Sequence, residues 1–98
     1  MNYAIIGCGR ISPNHIMAAK ENNLNVIALC DLIPANMDDK IQRCSLSGDI
    51  RKYIGYNEML EKEDIDLIAI ATESGKHAAI ALECIEKGIN LIIEKPIA

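Results

Sequence analysis

A chain of 98 residues is long enough for one hydrophobic core and too short for two. Half of its residues are hydrophobic and its three aromatics are all tyrosine, so the core must interlock Ile, Leu, Val and Ala, a composition that suits a parallel sheet covered by helices. A net charge of −4 without any Lys/Arg cluster speaks against a nucleic-acid or membrane partner, and no apolar run approaches the roughly 18 residues of a membrane span. With a first strand that starts at Tyr3, no signal peptide is expected and a cytoplasmic location follows.

The first stretch reads Tyr3-Ala4-Ile5-Ile6-Gly7-Cys8-Gly9-Arg10-Ile11-Ser12-Pro13. Its apolar, β-branched run breaks at Gly7 and a helical pattern begins a few residues later, so a buried strand turns sharply into a helix. Such a junction suits a dinucleotide. Gly7 permits the tight turn, and Gly9 lets the backbone approach a pyrophosphate whose charge meets free N–H groups and the positive end of the helix dipole. Arg10 and Ile11 continue the turn. Ser12 stands where the fingerprint has its third glycine or alanine, and its hydroxyl is placed to cap a helix that Pro13 opens.

That helix is predicted over 13–21, with Ile16 and Ala19 facing the sheet and Asn22-Asn23 ending it. His15, in its first turn near where phosphate would sit, reads as a packed or partly exposed helical histidine rather than a phosphate ligand. A second strand over 26–30 ends in Asp31, about 20 positions beyond the glycines, where an acidic residue accepts the adenosine ribose hydroxyls. The plainer reading of Asp31 is a helix cap. As a ribose acceptor its carboxylate would repel a 2′-phosphate and so favour NAD(H) over NADP(H), with the Arg10 guanidinium as the counterweight.

Pro34 opens a second helix on which Met37, Ile41 and Cys44 recur at helical spacing. Residues 45–49 read as a loop, 52–56 as a short edge strand, and Asn57 as the cap of a brief helix through 62. A buried strand over 66–71 leads into the turn Thr72-Glu73-Ser74-Gly75. From 76 to 87, apolar residues at 78, 81, 82 and 85 mark the buried stripe of an amphipathic helix that Gly88 stops. Residues 91–93 form a fifth strand, followed by Glu94-Lys95-Pro96.

The cysteines at 8, 30, 44 and 84 show no zinc-ligand spacing with each other or with His15 and His77, so they read as small buried hydrophobes and no metal site is expected. Five strands joined by helical crossovers give an α/β, Rossmann-type doubly wound parallel sheet of order 3-2-1-4-5. Ligands bind beyond the carboxyl ends of such strands, so the glycine turn, Asp31, the Thr72 loop and Glu94-Lys95 should face one crevice.

Together these motifs resemble the Gfo/Idh/MocA oxidoreductases, the family of glucose–fructose oxidoreductase and inositol dehydrogenase. The resemblance spans the glycine turn, Asp31, the run Asp66-Leu67-Ile68-Ala69-Ile70-Ala71-Thr72, His77 and the closing Glu94-Lys95-Pro96-Ile97-Ala98. It implies NAD as cofactor, held by Gly7, Gly9, Arg10, Ile11, Ser12, Asp31, Thr72 and Glu94, with Glu94 on the nicotinamide ribose. Lys95 would be catalytic, beside the nicotinamide ring and touching the reacting hydroxyl, where a cation stabilises developing alkoxide. His77 is taken as a structural helix-start residue.

The implied substrate is a sugar or nucleotide-sugar. The segments 9–15 and 71–77 are most similar to the branch that oxidises the 3-hydroxyl of UDP-N-acetylglucosaminuronic acid for polysaccharide biosynthesis. Family members carry an α/β substrate domain, and with it the usual histidine acid–base partner, after this one. Residues 1–98 are therefore expected to be the dinucleotide-binding domain alone, inactive by itself. Because the fifth strand is interior in the family, its exposed edge should favour a homo-oligomer. A reading from another class is a non-catalytic dinucleotide sensor or subunit module.

Overall fold

Alternation along the first strand sends Tyr3 and Ile5 to one side and Ala4 and Ile6 to the other, and all four are buried, so the sheet needs cover on both faces. The computed structural model describes residues 1–9, 12–71 and 77–93, with the backbone alone at 77, 92 and 93. Its strands are β1 (Asn2–Ile6), β2 (Asn25–Cys30), β3 (Arg51–Tyr53), β4 (Leu67–Ile70) and β5 (Asn90–Ile93). The helices are α1 (Ser12–Glu21), α2 (Pro34–Arg43), α3 (Tyr56–Lys62) and α4 (His77–Glu86). The expected order is found: the strands pair in parallel as β3-β2-β1-β4-β5.

Ile16 and Ala19 of α1 and Met37 of α2 pack with Tyr3, Ile5 and Leu29 on one face. On the other, Met59 and Leu60 of α3 and Ile80, Ala81 and Cys84 of α4 pack with Ala4, Ile6, Ile68 and Ile70. Each fully buried aliphatic side chain in these two layers is worth about 1.5–3 kcal/mol of transfer free energy. All four cysteines are free and buried.

The register sets the working edge. Ile6 lies opposite both Cys30 and Ile70, Cys30 opposite Tyr53, and Ile70 opposite Ile93, so the five carboxyl ends stand level. Near the other end β1 and β2 slip by one residue, Tyr3 pairing with Val26 and Ala4 with Ala28, which leaves Ile27 as a bulge.

The ends of α1, α2 and α4 follow one pattern, while α3 ends in extended backbone at Glu63. Leu24 N–H reaches Ala19 C=O at 2.9 Å, Leu46 N–H reaches Ile41 C=O at 2.9 Å, and Ile89 N–H reaches Cys84 C=O at 3.0 Å, each across a left-handed residue: Asn23, Ser45 and Gly88. The stops expected at Asn22-Asn23 and Gly88 are those observed.

Four local expectations are corrected. Helix α1 begins at Ser12 itself, whose hydroxyl donates back to Gly9 C=O at 2.8 Å instead of capping forward. Strand β3 ends at Tyr53, because Tyr56 already belongs to α3. Gly55, not Asn57, is the N-cap of α3, and it supplies no side-chain bond. Among the described side chains of α4 the buried ones are Ile80, Ala81 and Cys84, while Leu82 and Ile85 are 61% and 60% exposed and Ala78 is exposed too. Two apolar stripes compete along that helix, and the sheet takes the one that periodicity alone ranked lower.

Candidate functional site

At the level carboxyl edge the ladder runs one residue past β1, β2 and β4. Gly7 N–H donates to Cys30 C=O at 2.7 Å, Asp31 N–H to Tyr53 C=O at 3.0 Å, and Ala71 N–H to Ile6 C=O at 2.8 Å. Gly7 leaves β1 with φ 96, a left-handed conformation that a side chain would strain. At the start of α1 the Ser12 N–H and hydroxyl both donate to Gly9 C=O, at 3.2 and 2.8 Å. Ser12 is fully buried, which is why a small residue is needed there.

Asp31 is tied to this turn. Its Oδ2 accepts the Cys8 N–H at 2.7 Å, and its Oδ1 accepts the Ile33 N–H at 2.8 Å and lies 3.4 Å from Asn36 Nδ2. It is not a helix cap, since Ile33 is the N-cap of α2. The Cys8 thiol donates to Cys30 C=O at 3.7 Å. Burial, reinforced by the Asp31 carboxylate, pushes both the Cys8 and the Cys30 thiol up to about 12, so neither is a thiolate nucleophile at neutral pH.

A cavity of about 480 Å³ opens over this edge, lined by Gly7, Gly9 and Asp31 and walled by Leu32, Ile33, Ile54 and Tyr56. Its floor is Ile6, Ala71 and Ile80. The Tyr56 hydroxyl donates to Glu83 Oε1 at 3.3 Å, fixing the ring between α3 and α4. Sequence reasoning missed the apolar wall. Its signal was present: Leu32, Ile33 and Ile54 lie within three residues of strand ends, yet they are 67%, 57% and 56% exposed, an arrangement that fits a flat apolar ligand.

Of the residues expected in the site, Gly7, Gly9 and Asp31 meet at the cavity and Ser12 lies beneath the turn. Arg10, Ile11, Thr72, Glu94 and Lys95 lie outside the described residues. Gly9 tests the fit to a dinucleotide. It is exposed, its φ is not left-handed, and a Cβ built on it meets none of the described residues within 4 Å. Neither its backbone conformation nor packing against the described residues calls for glycine there, whereas the close approach of a ligand phosphate does.

Comparison with known proteins agrees with this geometry. The family model GFO_IDH_MocA, an oxidoreductase family with an NAD-binding Rossmann fold, matches residues 1–98. The rhizopine catabolism protein MocA of Rhizobium meliloti is 31% identical over 94% of this chain and 28% of its own length. The WlbA dehydrogenase from Chromobacterium violaceum, solved in complex with NADH and UDP-GlcNAcA, superposes with a TM-score of 0.86 at 32% identity, over 100% of this chain and 28% of that one. The WlbA dehydrogenase from Bordetella pertussis, solved with the same two ligands, gives 0.82 at 30% identity, over 99% of this chain and 29% of that one. The chain thus spans little more than a quarter of the length of these proteins. With the glycine turn, the Asp31 tie and the sheet order in place, the chain belongs to the Gfo/Idh/MocA oxidoreductase family and forms its NAD-binding Rossmann domain.

Proposed function

We propose that this chain is the NAD-binding part of an oxidoreductase that moves hydride between a sugar or nucleotide-sugar hydroxyl and NAD, in its finest form the 3-hydroxyl of a UDP-N-acetylglucosaminuronate. The observation that carries the reading is the open space at Gly9, on a turn fixed by Asp31 at the level edge of the sheet. Bound there, NAD supplies the hydride acceptor. The positive end of α1 would receive the pyrophosphate, and Asp31 would face the adenosine ribose. The apolar wall of Leu32, Ile33 and Ile54 receives the adenine ring.

The remaining assignments rest on the resemblance: Glu94 on the nicotinamide ribose, Lys95 as the cation that stabilises alkoxide at the reacting hydroxyl, and Arg10, Ile11 and Thr72 along the cofactor. The finer sugar assignment is supported by the two WlbA structures, which hold UDP-GlcNAcA. Positioning of a substrate hydroxyl at near-attack distance, worth roughly 7–11 kcal/mol of barrier, has no source in these residues, so the chain binds NAD but does not turn over sugar by itself. A cytoplasmic location, a homo-oligomeric state, and the absence of membrane and nucleic-acid partners belong to the same proposal. The exposed Leu82 and Ile85 of α4 support self-association.

Calorimetric titration of the chain with NAD and NADP tests the site. NAD should bind at least about tenfold more tightly, because a 2′-phosphate meets the Asp31 carboxylate. Equal or tighter binding of NADP removes Asp31 from the ribose, and sugar-dependent NADH formation by these residues overturns the division of labour.

A further inference from the structure

A carboxylate beside a phosphate site is an electrostatic cost, so Asp31 must offset it by more than one interaction with a ligand. In the protein alone its Oδ2 accepts from Cys8 N–H at 2.7 Å and its Oδ1 from Ile33 N–H at 2.8 Å. With Asn36 Nδ2 at 3.4 Å, three of the about four lone-pair directions of a carboxylate are engaged before any ribose arrives. The three donors belong to different segments: the turn after β1, the loop after β2, and the first turn of α2.

The tie falls where the turn is least constrained by its own residues. Gly7 takes a left-handed φ of 96, Gly9 meets none of the described residues where a side chain would be, and Cys8 alone between them carries a side chain. Gly7 N–H, Cys8 N–H and the Cys8 thiol all reach to residues 30 and 31, at 2.7, 2.7 and 3.7 Å, and only the Cys8 N–H bond is charge-assisted. We propose that Asp31 is a positioning residue for the phosphate-binding turn: through the Cys8 backbone it sets the turn's geometry, and it keeps that bond while a nucleotide is bound. The inference rests on the dinucleotide reading above. Its physical content is preorganisation, since a turn already ordered does not lose that freedom on binding.

Titrating wild type and Asp31→Asn with ADP and with 2′,3′-dideoxy-ADP separates this role from ribose binding. If Asp31 served the ribose alone, the variant would lose ADP affinity but hold dideoxy-ADP as well as before, or more tightly with a negative charge removed. A positioning role lowers both, dideoxy-ADP by at least about fivefold, because an amide cannot accept from both the Cys8 and Ile33 N–H groups with its two ends. A measurement on wild type stands even if the variant fails to fold. The scalar coupling across the hydrogen bond, from the Cys8 amide nitrogen to the Asp31 carboxyl carbon, should be present in the free protein and persist with ADP bound. Its loss on ADP binding overturns the proposal, as does unchanged dideoxy-ADP affinity in a folded variant. Failure of wild type to bind either nucleotide removes the dinucleotide reading, and this inference with it.

Discussion

At Ser45 local chemistry and fold disagree. It ends α2 in the left-handed region at φ 53, the place Gly88 holds after α4 at φ 76. A non-glycine residue there costs about 1–2 kcal/mol, part of which glycine gives back as chain entropy. Ser45→Gly should therefore stabilise the protein by about 0.5–1 kcal/mol, read as a shift of the urea midpoint at unchanged slope. The thiols give a second test at this scale. With Cys8 and Cys30 buried and pushed up to about 12, iodoacetamide at pH 8 should leave both unmodified in the folded chain and label them in denaturant. Rapid labelling of Cys8 under native conditions would show that the glycine turn opens readily.

Strand β3 has only three residues on an open edge and needs an anchor outside the ladder. Glu63, just past α3, provides it: its carboxylate accepts both from the Arg51 guanidinium and from the Tyr53 hydroxyl, and its side chain is 4% exposed. The Arg51 hydrogen bonds hold the Glu63 carboxyl below its ordinary value of 4.5, with the Tyr53 hydroxyl adding to them against the cost of burial. A carboxyl whose folded value is depressed contributes stability above its unfolded value and loses it as pH falls through the folded one. Glu63→Gln should accordingly lower the denaturation midpoint clearly at pH 7, and the gap to wild type should close below about pH 4.5. A gap of equal size at pH 3 would mean that packing, not charge, anchors the edge. At the other face, Lys20 of α1 donates to the Cys44 carbonyl at the end of α2 at 2.8 Å, so Lys20→Ala should cost about 0.5–1.5 kcal/mol.

For the whole molecule, burial on two sheet faces decides which apolar residues carry stability. Ile80 is 4% exposed and Leu82, two positions on, is 61% exposed. Ile80→Ala should cost about 2–5 kcal/mol and Leu82→Lys less than about 0.5 kcal/mol, both measured by chemical denaturation. A large loss from Leu82→Lys, growing with protein concentration, would indicate that self-association covers α4.

The sequence by itself determined the order of elements, the parallel sheet, the glycine turn, and the place of Asp31 at the end of β2 beside that turn. These are local or periodic signals: a strand broken by Gly7, prolines at helix starts, an acidic residue at the end of β2. Tertiary structure alone decided what depends on which neighbour arrives. The stripe at 78, 81, 82 and 85 is a good amphipathic pattern, but the sheet accepts Ile80, Ala81 and Cys84 because the helix axis and rotation are set by packing against β4 and β5. Likewise the Ser12 hydroxyl turns back to Gly9, and Asp31 spends its oxygens on the Cys8 and Ile33 amides, because closing a tight turn brings backbone donors and acceptors within reach that no linear spacing displays.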